Sequence, residues 1–357
     1  MMAHIQRTPS MPQQFASDNN AGICPQAMAA LARVNATGHQ VSYGDDPWTA
    51  DAKARLAELF EADCDVFFVF NGTAANALAL AAICRPHHAV LCHALSHVDT
   101  DESGAPEFFT GGSKLLTADG PNGKLTPAAV ERLATRWHGT HHVKARALSL
   151  TQATETGTVY TVAETAALTD TARRHGLVVH MDGARLANAV AHLDCRPAEI
   201  TWRAGVDVLS FGGTKNGLAI GEAVIFFRKD LADEFAWRVK QTGQLASKMR
   251  FVTAPWIGLL EGDVWLRNAR HANAMARRLA EALGAVPGVQ LMFPVEANAV
   301  FADIPSALQA SARSAGWRFY TFLGATGCRL MCAWDTTPDT VDRFAADIAS
   351  AAKRGVG

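Results

Sequence analysis

The sequence predicts an α/β chain, with a large domain built on a mostly parallel sheet flanked by helices and a smaller α+β domain at the C-terminus. Two patterns carry this expectation. From about residue 51 to 254, short apolar runs rich in valine and phenylalanine alternate with longer alanine- and leucine-rich segments of helical period, the pattern of a parallel sheet covered by helices. After Trp256 the rhythm changes to one long helical stretch followed by short strands and two further helices. With 357 residues, 49% of them apolar, the chain can bury cores of that size.

In the first region, strands are expected at 66–70, 89–92, 147–150, 178–181, 208–211 and 223–227. Most run directly into polar or glycine-rich loops, so the unusual residues gather at the carboxyl ends, where folds of this kind bind ligands. In the second region the expected order is a helix at 261–283, strands at 289–293 and 299–304, a helix at 306–315, strands at 318–322 and 329–334, and a last helix. Thr336-Thr337-Pro338 marks the start of that helix, with a threonine cap and proline in the first turn. The expected division is an N-terminal segment, 1–48, that contributes to the site and to the small domain, then a large ligand-binding domain, 49–258, then the small domain, 259–357. The first dozen residues, with Pro9 and Pro12, are expected to be mobile.

Charge narrows the partners. There are 33 basic and 34 acidic side chains, so neither nucleic acid nor an anionic membrane is expected, and a small molecule is the natural ligand. Seven cysteines, an odd number without repeated close spacing, argue against a disulfide framework or zinc site and suit a reducing cytoplasm. The start lacks the apolar run of a secretory signal, and no apolar stretch is long enough to span a bilayer, so a soluble, unprocessed protein is expected.

The chemistry centres on Lys215, in the small-residue loop Ser210-Phe211-Gly212-Gly213-Thr214-Lys215, and on Asp182, which closes an apolar strand just upstream. Taken singly, each has a bland explanation: a solvated lysine, a helix-capping aspartate. Their order and separation suit pyridoxal phosphate, which needs an amine to condense with its aldehyde and a carboxylate to keep its pyridine nitrogen protonated. Upstream, Phe70-Asn71-Gly72-Thr73-Ala74-Ala75 passes from a strand into a helix through small residues, so amides of the first turn and the Thr73 hydroxyl can cradle a phosphate with Gly72 allowing close approach.

His97, among acids in His93-Ala94-Leu95-Ser96-His97-Val98-Asp99-Thr100-Asp101-Glu102, can stack on a planar ring and hold a hydroxyl. Zinc is the competing reading, but no third soft ligand is placed to complete a site, so no metal is expected. Arg185, three residues beyond Asp182, is within reach of a ring oxygen or a substrate carboxylate. Arg329, a lone charge in the apolar run Gly327-Cys328-Arg329-Leu330-Met331, is suited to a bidentate grip on an amino acid carboxylate.

These residues together resemble the low-specificity L-threonine aldolases, in the group that includes phenylserine aldolases within the β-eliminating lyase family. The likeness runs from Phe15-Ala16-Ser17-Asp18-Asn19 and Tyr43-Gly44-Asp45-Asp46 through Asn71-Gly72-Thr73, His97 with Glu102, Thr151 to Tyr160, Asp182 to Arg185 and Lys215 to Arg329. It implies a pyridoxal phosphate enzyme of fold type I, a homotetramer that is a dimer of dimers with shared sites. It further implies Lys215 as the lysine that holds the cofactor, Asp182 as partner of the pyridine nitrogen, His97 as the stacking residue, and Gly72 with Thr73 as the phosphate loop. Ser17, Arg185 and Arg329 would hold the substrate carboxylate, and Lys248 and Arg250 fall in a segment that reaches the neighbouring subunit's cofactor in similar proteins. The implied reaction is cleavage of L-threonine, L-allo-threonine or phenylserine to glycine and an aldehyde. The rival, β-elimination or dehydration, releases ammonia and a keto acid. Many relatives carry a histidine in the loop after the strand ending at Leu150, where this chain has Thr154 and Glu155. His97, oriented by Glu102, is therefore the expected base.

Overall fold

The computed structural model describes residues 14–136 and 138–355, so the terminal dozen expected to be mobile lies outside the described residues. Seven strands form the larger sheet: β1 (Asp65–Val69), β2 (His88–His93), β3 (Lys114–Ala118), β4 (Lys144–Thr151), β5 (Val178–Gly183), β6 (Val208–Phe211) and β7 (Glu222–Phe226). Their order is β1-β7-β6-β5-β4-β2-β3. Every pairing is parallel except those of β7, which runs against both β6 and β1. The carboxyl ends of the other six strands therefore share one edge of the sheet.

β5, β6 and β7 are buried throughout and β4 from Ala147 to Leu150, as near-continuous apolar runs covered on both faces should be. β3 was not expected from the sequence. It is an edge strand in which only Leu116 and Ala118 are buried, while Lys114 and Thr117 are polar and exposed, so the run does not read as core. Two strands stop a residue short of expectation: β1 at Val69, leaving Phe70 56% exposed, and β7 at Phe226.

The smaller sheet has the order β10-β11-β9-β8, with β8 (Gln290–Leu291), β9 (Ala299–Asp303), β10 (Tyr320–Leu323) and β11 (Gly327–Met331) all antiparallel. β10 and β11 lie up to three residues from the expected spans because the turn at Gly324 pairs Leu323 with Gly327. The final helix, Pro338–Lys353, starts as expected, with the Thr337 side chain accepting from the Thr340 amide. The long helix Val264–Gly284 packs against Leu186–Leu193 of the large sheet's cover and against Pro338–Lys353.

Phe15 joins the small-sheet core, stacking on Trp317 and meeting Phe344, while the Phe15 amide donates to the Arg318 carbonyl and its carbonyl accepts from the Met331 amide. That anchor carries the chain straight into the site at Ser17 and Asp18. Positions 48 and 258, expected as divisions, fall inside the helices Pro47–Leu59 and Arg250–Leu260. Among the described residues no helix is long and apolar enough to cross a membrane.

Candidate active site

Two adjoining cavities open at the carboxyl edge of the large sheet. One, of about 350 Å³, is lined by Ser17, His97, Glu155, Arg185, Lys215 and Arg329 among others. The other, of about 300 Å³, is lined by Asn71, Gly72, Thr73, Thr214 and Glu222, and shares Asn19, His97 and Lys215 with the first. Thus Lys215, His97, Ser17, Arg185, Arg329, Gly72 and Thr73 come together from segments far apart in the chain.

Each is placed by a local feature. Lys215 sits in a single 3-10 turn, Thr214–Asn216, directly after β6. That turn is held by Glu222 at the start of β7, whose carboxylate accepts from the Gly213 amide at 2.5 Å; Glu222 is buried, and burial pushes its pKa up. The loop glycines are required by close approach: a Cβ on Gly212 would lie 2.4 Å from the Ala184 carbonyl oxygen, and one on Gly213 would meet the Trp256 ring at 2.7 Å. Thr73 lies in the first turn of Gly72–Ile83, whose cap is the Asn71 side chain, accepting from the Ala74 amide. The amides of Gly72 and Thr73 precede the first intrahelical donors and border the second cavity, and a Cβ on Gly72 would meet no protein atom within 4 Å. The buried Thr214 hydroxyl beside them has no partner among the described residues. An anion-binding helix start, an unpartnered hydroxyl and an amine on one cavity fit pyridoxal phosphate.

Asp182, near the end of β5, is 4% exposed; its Oδ1 accepts from the Ala184 amide at 3.0 Å and its Oδ2 from Asn76 Nδ2 at 2.9 Å. His97 is half-buried. Its Nδ1 lies 2.9 Å from Oε1 of Glu102, whose side chain is fully buried, and its Nε2 lies 3.6 Å from Asp101. The hydrogen bond to Glu102 raises the His97 pKa against the opposing effect of burial, while burial raises that of Glu102. Donation of Nδ1–H to Glu102 leaves the Nε2 lone pair toward the cavity. Beneath the site His180 is sealed between Ser149 and Ser210, and burial pushes its pKa down to about 4, so it is neutral.

Arg185 is more committed than its position in the sequence suggests. Its Nε and Nη2 form a fork to Asp18 at 2.7 and 2.9 Å, and Asn298 donates to the same carboxylate at 3.0 Å. Burial alone would raise the Asp18 pKa, but the Arg185 charge and hydrogen bonds override it and hold the group at about 2. Its fork is thus occupied by Asp18, and Nη1 is the nitrogen that remains for the cavity and for the expected grip on a substrate carboxylate. Arg329, by contrast, has a buried Nε with no hydrogen-bond partner among the described residues, and its guanidinium lies over the rings of Phe322 (4.9 Å) and Tyr320 (5.6 Å). Burial, then the nearby Arg185, lower its pKa. Ser17 lines the cavity while its hydroxyl accepts from the Asn19 amide at 3.1 Å.

Arg250, expected to bind cofactor, lines neither cavity of its own chain: it is buried at the start of Arg250–Leu260 over the Phe251 ring, while Lys248 is exposed. Of Thr154 and Glu155 in the loop after β4, Thr154 is locked away, bonded to the hydroxyls of Thr156 and Thr158, while Glu155 lines the cavity. Asp18 and Asn76 carry no role in the sequence-based expectation, although Asn76 is the lone amide in the otherwise apolar stretch Ala74-Ala75-Asn76-Ala77-Leu78-Ala79-Leu80, a sign of a buried polar task.

Residues 14–307 match the family model described as beta-eliminating lyase. The chain is 58% identical over 336 residues to the low specificity L-threonine aldolase of Pseudomonas aeruginosa, covering 94% of this chain and 97% of that one, and 56% identical over the same shares to one from another Pseudomonas strain. Among solved structures, a threonine aldolase from Leishmania major superimposes with a TM-score of 0.89 at 31% identity, covering 97% of this chain and 100% of that one.

Proposed function

Because the chain belongs to the beta-eliminating lyase family, we propose that it is a pyridoxal phosphate enzyme, an aldehyde-lyase that cleaves L-threonine reversibly to glycine and acetaldehyde. The fold is that of the type I pyridoxal phosphate enzymes. The observation that carries the reaction is the set of groups on one cavity: an amine, a carboxylate-held imidazole and an arginine whose buried Nε has no partner.

When bound, the cofactor supplies an aldehyde that condenses with amines and a protonated ring that takes up the electron pair released at the substrate's α-carbon. Lys215 would hold it through its amine. Asp182 keeps the proton on the ring nitrogen, and the amides of Gly72 and Thr73 with the Thr73 hydroxyl hold the phosphate. Arg329 grips the substrate carboxylate, with Ser17 and the remaining Nη1 of Arg185 beside it, and so sets the α–β bond as the one that breaks. His97 accepts the β-hydroxyl proton at Nε2, and Glu102 fixes its ring and stabilises the imidazolium that results.

The substrate range extends to L-allo-threonine and phenylserine. Leu95 and Phe322 supply apolar wall to the cavity beside the polar grip, and one methylene of discrimination in such a pocket is worth only about 1–3 kcal/mol. The enzyme acts in the cytoplasm, where its seven free cysteines stay reduced. It assembles as a homotetramer with sites at subunit interfaces. The strong exposure of Phe70, Phe108 and Trp237 supports this, as does the absence of Arg250 from its own chain's cavities.

Incubated with L-threonine, the purified protein is expected to form glycine and acetaldehyde in equal amounts; ammonia with a keto acid instead would establish elimination and overturn the proposal. L-allo-threonine and phenylserine, assayed by glycine formation, test the wider range. Asp182→Asn keeps the shape and removes the charge, so it is expected to retain cofactor while turnover falls by at least about 10²-fold. Normal turnover in that variant would show that the ring nitrogen is protonated without it.

A further inference from the structure

Asn76 stands inside the site and touches neither cavity. It is 2% exposed in the Gly72–Ile83 helix, and its Nδ2 lies 2.8 Å from Glu102 Oε1 and 2.9 Å from Asp182 Oδ2. A planar amide has two hydrogens on that nitrogen, so each acid receives one. The orientation is set by the neighbours: turned the other way, the amide oxygen would face two carboxylate oxygens. The same orientation leaves Asn76 Oδ1 buried with no partner among the described residues, and Glu102 Oε2 is likewise unpartnered. One ordinary acceptor bond is thus given up for two donor bonds to charged groups, which are roughly twice as strong as neutral ones.

We propose that Asn76 is a positioning residue that couples the two halves of the site: by sharing its amide between Glu102 and Asp182 it holds the two acids side by side, and so keeps His97 placed on one side and the ring-nitrogen acid on the other. Both oxygens reach one nitrogen, so they are less than about 6 Å apart, a separation at which buried like charges disfavour each other's ionisation. No other side chain of this size serves. Aspartate would add a third acid, serine has one O–H and can satisfy only one carboxylate, and leucine has none. Without the shared donor the proton goes to Glu102, which is buried with a spare oxygen, and a neutral Glu102 no longer supports a charged His97. The groups that face His97 are Glu102 at Nδ1, Asp101 near Nε2, and Asp182, Glu155 and Lys215 across the site; only the first is bonded directly to the ring and to Asn76.

The inference rests on the roles given above to His97 and Asp182. Its primary readout, the titration of His97 followed by histidine-labelled NMR on the full chain freed of cofactor, is independent of whether threonine is cleaved. Asn76→Leu is expected to lower the His97 pKa by about one unit or more. Glu102→Gln should lower it by a similar amount, and the double variant should fall no further than either single one. In the loaded enzyme the acid limb of the kcat profile and the pH at which the visible absorbance changes should move with it. Asn76→Ser, with one donor left, should shift His97 in the same direction and serves if the leucine variant does not fold. An unshifted His97 in whichever variant folds, or fully additive shifts in the double variant, would overturn the proposal and reduce Asn76 to a packing role.

Discussion

Lys215→Ala is expected to lose turnover by about 10³-fold or more, together with the visible absorbance of the bound cofactor, while the far-ultraviolet spectrum stays that of the native protein. Among the described residues Lys215 is the one lysine on either cavity, the amine placed to anchor the aldehyde. The fold should survive because Lys215 is half-buried in a turn held by other atoms: the Glu222 carboxylate on the Gly213 amide, and Asn216 Nδ2 on the Trp265 carbonyl at 2.8 Å. Retained turnover would refute the assignment of the anchoring amine. A variant that failed to fold would instead show that the turn depends on the lysine side chain itself.

Asp18→Ala is expected to destabilise the protein by about 3–5 kcal/mol, read as a fall in the thermal midpoint, because it leaves the Arg185 guanidinium buried without its fork partner. The effect should depend on pH in a defined way. The Asp18 pKa is depressed in the fold, to about 2 from an ordinary 3.8, so its ion pair stabilises fully above the ordinary value and less as pH falls through the folded one. The gap in stability between native protein and Asp18→Asn should therefore be largest near neutrality and shrink between about pH 4 and 2. A gap that did not change with pH would mean that the carboxylate's charge contributes nothing. Activity should fall as well, since a freed Arg185 would compete with Arg329 for the substrate carboxylate and Ser17 would lose its anchored neighbour.

Much of this was legible in the sequence, for a local reason. Lys215, Asp182, His97, Gly72 and Thr73 all stand where a strand ends or a helix begins, and such junctions show in a linear pattern of apolar runs and small residues. Fully buried strands such as β6 were legible as well. β3 was not, because an edge strand with only two buried residues carries little apolar signal. Apart from Glu102, which stands five residues from His97, the partners of the site residues were not legible either. Asp18 meets Arg185 across 167 positions, Asn76 meets Asp182 across 106, and Asn298 meets Asp18 across 280. A charged or amide side chain looks the same in sequence whether it is free or engaged.

The sequence by itself therefore determined the fold class, the cofactor chemistry and the residues at the strand ends, because each depends on local periodicity or on residue types whose chemistry is intrinsic. Only the tertiary structure decided which arginine of the cavity is already engaged by a carboxylate. Packing of the N-terminal segment against the small sheet brings Asp18 onto Arg185, while Arg329, over the rings of Phe322 and Tyr320, keeps a buried Nε with no hydrogen-bond partner among the described residues. That choice rests on where one buried carboxylate comes to lie, and burial makes its pairing exclusive: a charge removed from water must keep the partner that compensates it.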